Sequence, residues 1–350
     1  MKARGLLTLA VGIGFLFCLV IHVNPAPAAK EEVLNLRVAS TWPPGSILVE
    51  QAWKPPLEEI KKKSNGRITY TMFPGSILGK PNEQYDMVRI GKADLITDFS
   101  VQYTPGRFPM SELLTMPVVY PKHVMGSEVA LAVFDRLLNE REYQDTKTFF
   151  LYSVPNFNYL GKKKVTSLAE MKGLKLRSSG GFVPKTIGLL GATAVHMPPG
   201  DLFLSMQTGV VDGATLGYLA VVQFKLQEVG KYFMLGFSFG STCNGVAMNK
   251  NAWEKVPNDL KPMVSEEIRR MGYLANKVND DHFESSMKMF ASAGLEVYTL
   301  PPEEVDRWNK LLKPAVHKWV ADLQAKGLPA DKALGIYREE CQKRGVAFPF

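Results

Sequence analysis

The chain has 350 residues, 46% of them hydrophobic and 22% charged, an ordinary globular balance with material for two lobes of about 100–150 residues each rather than a single domain. Its formal charge of +8 comes from 42 basic and 34 acidic residues spread along the chain. No basic run is longer than residues 61–63 or 162–164, so the concentrated charge of a nucleic-acid binder is missing and no such partner is expected.

The N-terminus speaks to location. Lys2 and Arg4 precede an apolar stretch over residues 6–23, followed by Asn24-Pro25 and an Ala26-x-Ala28 cleavage pattern. This reads as a secretory signal peptide over residues 1–28, removed on export to the periplasm. An uncleaved anchor is the alternative, because the stretch approaches spanning length. A lipoprotein fits less well, because Cys18 lacks small residues before it. With Cys18 removed, Cys243 and Cys341 remain. They stand about a hundred residues apart with no motif enforcing contact, so two buried thiols are expected over a disulfide. No CxxC spacing supports zinc, and neither metal nor cofactor is expected.

Residues 34–40 read as a buried strand, broken at Trp42-Pro43-Pro44-Gly45. Ile47, Leu48, Ala52, Trp53, Leu57 and Ile60 recur at helical spacing over 47–63, with Ser46 as N-cap and Ser64-Asn65-Gly66 as an αL-tolerant stop. A strand at 68–73, a helix at 81–91 and a strand at 94–99 follow. A second α/β cluster begins near residue 149, with strands at 149–154, 173–177, 194–197 and 210–214. Helical segments at 167–171, 182–190 and 201–208 lie between them. The tail reads as helices over 302–325 and 330–343. Before them, 258–293 carries a periodic run too long for one compact-domain helix without a break or bend. The twice-repeated alternation predicts an α/β fold of helix-covered, mostly parallel sheets.

Ligands of open parallel sheets lie beyond the carboxyl ends of the strands. Those ends carry Thr41-Trp42, Asp98-Phe99-Ser100, Arg177 and 215–218. Arg177 is the chief candidate. A guanidinium meets a carboxylate in two parallel hydrogen bonds, and Ser178-Ser179-Gly180-Gly181 after it would admit a solute closely. Trp42, Phe99, Phe157, Asn158, Leu216 and Tyr218 complete the candidate site, each aromatic having core packing as its ordinary alternative.

Met171-Lys172-Gly173-Leu174-Lys175-Leu176-Arg177 and Gln207-Thr208-Gly209-Val210-Val211-Asp212-Gly213 resemble the DctP-type solute-binding proteins of TRAP (tripartite ATP-independent periplasmic) transporters. The opening Leu36-Arg37-Val38-Ala39-Ser40-Thr41, the Phe73-Pro74-Gly75 to Leu78-Gly79 segment, Gly106-Arg107-Phe108-Pro109 and Met248-Asn249-Lys250 also fit. The resemblance implies a two-lobed flytrap with a long helix spanning both lobes, and a monomer that hands its solute to TRAP membrane subunits. Residues 29–154 with about 243–280 would form one lobe, and 155–242 with about 281–350 the other lobe and the lobe-spanning C-terminal helices. The family's carboxylate-binding arginine maps onto Arg177. The second arginine of sialic-acid-type members is missing, Phe157 standing near its place, and Leu216-Gly217-Tyr218 replaces their asparagine. A small organic acid is therefore implied, with an apolar monocarboxylate, aromatic or branched, favoured over a polyhydroxylated one.

Other classes read less well. Residues 236–240 match GxSxG, with Asp280 and His282 downstream, but a nucleophile elbow needs a strand before Ser238 and a helix directly after it. The five histidines make no HxxxH or HExxH pair, and His196 reads as a core histidine. No enzyme activity is expected. The receptor of an ATP-driven importer and a sensor-linked receptor share the two-lobed build. Neighbouring genes separate them: an ATPase marks the importer, a histidine kinase the sensor.

Overall fold

The computed structural model describes residues 33–154 and 156–350. The expected signal segment and Cys18 lie outside them. Among the described residues the strands are β1 (Leu34–Ala39), β2 (Ile68–Phe73), β3 (Leu95–Ser100), β4 (Lys147–Val154), β5 (Asn158–Gly161), β6 (Lys175–Ser178), β7 (Thr193–His196), β8 (Gly213–Leu216), β9 (Tyr232–Leu235), β10 (Thr242–Met248) and β11 (Glu296–Thr299). They form two sheets, ordered β2-β1-β3-β10-β4 and β11-β9-β5-β8-β6-β7. The protein is a two-lobed α/β fold with one sheet in each lobe.

Each sheet is parallel apart from one strand. β10 runs antiparallel to both β3 and β4, and β5 runs antiparallel to β8 and β9. Both reversed strands receive the chain directly from the other sheet, β4 leading into β5 and β9 into β10. A chain that leaves a sheet at its carboxyl edge and enters the next as a reversed strand also enters at a carboxyl edge. The two edges that gather binding loops therefore face each other. The two crossings pair as a short ribbon, Phe157 N–H donating to Gly240 O at 3.0 Å and Phe239 N–H to Phe157 O at 2.8 Å.

A third link is the helix Lys261–Ser292. It packs on the helix Lys54–Lys63 and on β4 in one lobe, and on the helix Tyr218–Gln223 and β11 in the other. The helix has no break: it runs continuously over 32 residues, about 48 Å at 1.5 Å per residue. It serves two lobes, so the length limit of one domain does not apply. Asn276 anchors it near the crossing, its Nδ2 donating to the Ser153 carbonyl of β4 and, at 2.8 Å, to Ser127 Oγ.

Local chemistry explains most boundaries. Ser46 Oγ accepts from Val49 N–H at 3.4 Å, and Asn65 and Gly66 end that helix at φ 52° and 77°. Ser167 and Glu170 form a capping box at Leu168–Met171. Sequence pattern missed β5, β9 and β11, whose four residues each are too short for a periodic signal. It also missed the helix His123–Val133. The terminal helix Ala330–Lys343 packs on His123–Val133, beside the first sheet, and Tyr337 meets Tyr120 there at 2.9 Å. Periodicity identifies an apolar face without naming what covers it. Cys243 and Cys341 are both free and buried.

The fit between the long helix and β4 is testable. A Cβ on Gly272 would lie 2.1 Å from the Phe150 ring. Overpacking of this kind costs about 1–3 kcal/mol, so Gly272→Ala should lower the thermal midpoint by several degrees in a calorimetric scan. An unchanged midpoint would mean that the helix and strand can move apart freely.

Candidate functional site

The facing edges enclose a cavity of about 330 Å³, at the small end of ligand pockets. Trp42, Leu48, Tyr152, Phe157, Leu216 and Phe224 supply apolar wall, and Arg177 and Asp98 supply charge. The lobes touch across it. The Trp42 and Phe224 rings lie 6.4 Å apart, and Tyr103, just after β3, accepts a hydrogen bond from Arg177 on β6 at 3.1 Å.

Arg177 is 2% exposed, and burial pulls its guanidinium below its usual pKa, with Tyr103 opposing the shift. Its Nε donates to Met197 O at 3.0 Å and one Nη to Thr215 O at 3.2 Å. With the Tyr103 bond, these use three of the five N–H groups of a guanidinium. One N–H remains on each Nη. No carboxylate among the described residues pairs with it. A buried charge normally has such a partner, and here two N–H groups of Arg177 are left without one.

Asp98 is the opposing charge. Its carboxylate accepts from Thr41 N–H at 3.1 Å and from the Thr41 hydroxyl. Burial pushes its pKa up to about 6 against these hydrogen bonds. The contact holds the loop that carries Trp42 onto the end of β3. Beside it, Ser100 Oγ donates to Asn244 Oδ1 at 2.5 Å, and Asn244 Nδ2 donates to Thr242 Oγ1 at 3.1 Å.

Arg177, Trp42, Phe157 and Leu216 line this one cavity. Phe99 does not. It lies in the first lobe's core, 5.0 Å from Tyr85 and over Gly245. Alternation along β3 turns Asp98 and Ser100 to the cavity and Phe99 away from it. Asn158 and Tyr218 also fall elsewhere. They line a second cavity of about 620 Å³ with His123, Lys277, Asp280 and Asp281. The extended crossing explains the split, since Phe157 faces one cavity while Asn156 and Asn158 face the other. The larger cavity offers less to an anion, because three carboxylates, Asp280, Asp281 and Glu284, line it; Lys277 pairs with Asp281 at 2.6 Å and His123 with Asp280 at 2.9 Å, and Lys122 also lines it. His196, expected in a core, is exposed at the end of edge strand β7, with its ring 5.7 Å from that of Tyr103. Sequence reasoning missed Tyr103, Phe224 and Asn244. Only β3 parity, which would have favoured Asp98 over Phe99, was available as a signal.

The GxSxG match carries no dyad. Ser238 is buried in the second crossing and donates to Gly240 O at 2.7 Å. His282 lies against Gln51 at 3.1 Å, and Asp280 is bonded to His123.

Residues 38–322 match the family described as Bacterial extracellular solute-binding protein, family 7, or DctP. The chain belongs to this family. It is a DctP-type solute-binding protein of the TRAP class, a family of binding proteins rather than enzymes. A solute-binding protein of Albidiferax ferrireducens is 23% identical over 334 residues, 92% of this chain and 96% of that one. The C4-dicarboxylate-binding periplasmic protein of Rhodobacter capsulatus is 22% identical, over 79% of this chain and 84% of its own. Among solved structures, a TRAP solute-binding protein of Rhodoferax ferrireducens with copurified benzoate superposes with a TM-score of 0.83 at 24% identity, covering 89% of this chain and 99% of that one. A Bordetella bronchiseptica protein with bound (R)- and (S)-mandelate gives 0.81 at 24%, with the same coverage. No helix among the described residues is long and apolar enough to cross a membrane.

Asp98 makes a checkable contribution to stability. A carboxyl whose folded pKa is raised stabilises fully below its unfolded value and loses that contribution as pH rises through about 6. Asp98→Asn removes the loss. Its melting temperature relative to the parent should therefore climb by roughly 5 °C between about pH 4 and about pH 7. A pH-independent difference in paired thermal scans would refute this assignment.

Proposed function

We propose that the protein is a monomeric periplasmic receptor that captures a small apolar monocarboxylate, aromatic or branched, and delivers it to TRAP membrane subunits for ion-gradient-driven uptake. The observation that carries this reading is Arg177: a buried guanidinium with two N–H groups to spare and no carboxylate partner among the described residues, in a small cavity with aromatic walls. A carboxylate on these two N–H groups supplies the missing counter-charge. Trp42, Phe157 and Phe224 suit a flat or branched hydrocarbon body.

Asp98 favours one carboxylate over two. Ionised above about pH 6 and sharing the cavity with Arg177, it repels a second negative group. This argues against the dicarboxylates named for the Rhodobacter relative. The benzoate and mandelate of the two structural neighbours are acids of the favoured kind. Residues 1–28 supply the export signal in this reading.

Capture works through the hinge. The two crossings and the long helix let the lobes separate while keeping their carboxyl edges opposed. An acid that touches both lobes binds the closed form better and shifts the equilibrium toward it.

Thermal melting against benzoate, mandelate, a branched 2-oxo acid, succinate and D-glucuronate tests the reading. The monocarboxylates should raise the midpoint, by the equivalent of about 2.7 kcal/mol at a hundredfold excess over Kd, and succinate and glucuronate should not. A shift with succinate or glucuronate alone would overturn the solute class. Arg177→Ala should weaken monocarboxylate binding by about 2–5 kcal/mol, roughly thirtyfold or more, with the circular dichroism spectrum unchanged. Unaltered affinity in this variant would remove Arg177 from the site.

A further inference from the structure

Most polar side chains around the cavity already have partners. Asp98 is bonded to Thr41, Ser100 to Asn244, Asn244 to Thr242, and Asn279 to the Ala275 carbonyl at 2.8 Å. Gln102 differs. It sits in the single turn Val101–Tyr103 that follows β3, is 5% exposed, and lines the same cavity as Arg177. Its Oε1 accepts the backbone N–H of Cys243 at 3.2 Å. That bond fixes which end of the amide is oxygen, because a backbone N–H cannot bond to the amide nitrogen as an acceptor. The Nε2 is buried and has no partner. Buried amide donors are rarely left unpaired.

The surroundings set Gln102 beside the segment that carries Arg177. Its neighbour Tyr103 bonds to the Arg177 guanidinium at 3.1 Å. Gly180, three residues after Arg177, rests on the Gln102 carbonyl so closely that a Cβ there would lie 2.5 Å from the oxygen. Gln102 extends from the first lobe and Arg177 from the second.

Resting on the reading of the cavity as an acid-binding site, we infer that Gln102 is a specificity-determining residue whose Nε2 donates to the solute carboxylate opposite Arg177. The acid is then held from both lobes at once. Arg177 takes its two oxygens, and Gln102 donates to a remaining lone pair. This clamp exists only when the lobes are closed, so the carboxylate itself drives closure. The free group on Gln102 is a donor alone. It rewards an anionic acid over its amide or ester, in which one carboxylate oxygen is replaced by a weaker acceptor or by a competing donor.

The test uses isothermal titration of the mature protein with benzoate, mandelate and phenylacetate. Gln102→Met keeps the side-chain length and removes the donor. It should weaken binding of these acids about tenfold to a hundredfold. The unliganded melting temperature gives a second readout. Gln102→Glu keeps the acceptor for Cys243 N–H and turns the donor into an anion; with a parent-like circular dichroism spectrum, binding should be lost beyond detection. Affinity within twofold of the parent in Gln102→Met, or measurable binding in Gln102→Glu, would overturn the inference while leaving the acid-binding reading intact. Failure of the parent to bind any of the three acids, in titrations that include succinate as a positive alternative, would overturn both.

Discussion

β5 and β10 run against the other strands of their sheets, and the binding site depends on that reversal. A parallel sheet gathers its loops at the carboxyl edge. A chain that passes from that edge into a reversed strand of a second sheet brings the second carboxyl edge to face the first. Here the passage occurs twice, and the two crossing segments are hydrogen-bonded to each other through Phe157, Phe239 and Gly240. Thr41-Trp42 and Gln102-Tyr103 on one side are thereby set opposite Arg177 and Leu216 on the other. The long helix Lys261–Ser292 braces both lobes without blocking the space between them.

Charge then decides what the space can hold. Burying Arg177 removes much of its hydration, and the chain returns only carbonyl and hydroxyl oxygens, those of Met197, Thr215 and Tyr103. Hydrogen bonds of that kind orient a guanidinium without neutralising it. Asp98 spends its lone pairs on Thr41 and so shapes the loop of Trp42 rather than balancing Arg177. The larger cavity on the other side of the crossing holds more charged groups, but three of them, Asp280, Asp281 and Glu284, are acids, and His123 and Lys277 pair with the first two. The two cavities differ in charge balance as well as in volume: acids predominate in the larger, and a buried unpaired guanidinium lines the smaller.

Much of the architecture was legible because its signals are local. Ser46, Ser64-Asn65-Gly66 and the Ser167/Glu170 box mark helix ends through side-chain and backbone preferences that hold in any fold. The terminal helices, at Pro302–Gln324 and Ala330–Lys343, match their periodic patterns. Four-residue strands such as β5 and β9 escaped because two inward side chains make no period. The long helix was read as needing a break because sequence contains no record that two lobes share it.

Arg177 could be singled out from sequence because it combines a strand end, a non-titrating planar cation and a run of small residues, all contiguous in the chain. Trp42, Phe157 and Leu216 followed from the same strand-end rule, as did Phe99, Asn158 and Tyr218, which lie elsewhere. Sequence alone therefore determined the α/β class and the family and pointed to Arg177, since each is written in local composition and spacing. Tertiary structure decided which side of each strand or crossing faces the cavity, that Tyr103 meets Arg177 across the cleft with Gln102 lining the same cavity, and that no acid among the described residues pairs with Arg177. Those outcomes turn on strand parity and on contacts between segments some seventy residues apart, such as Tyr103 with Arg177, which no local pattern encodes.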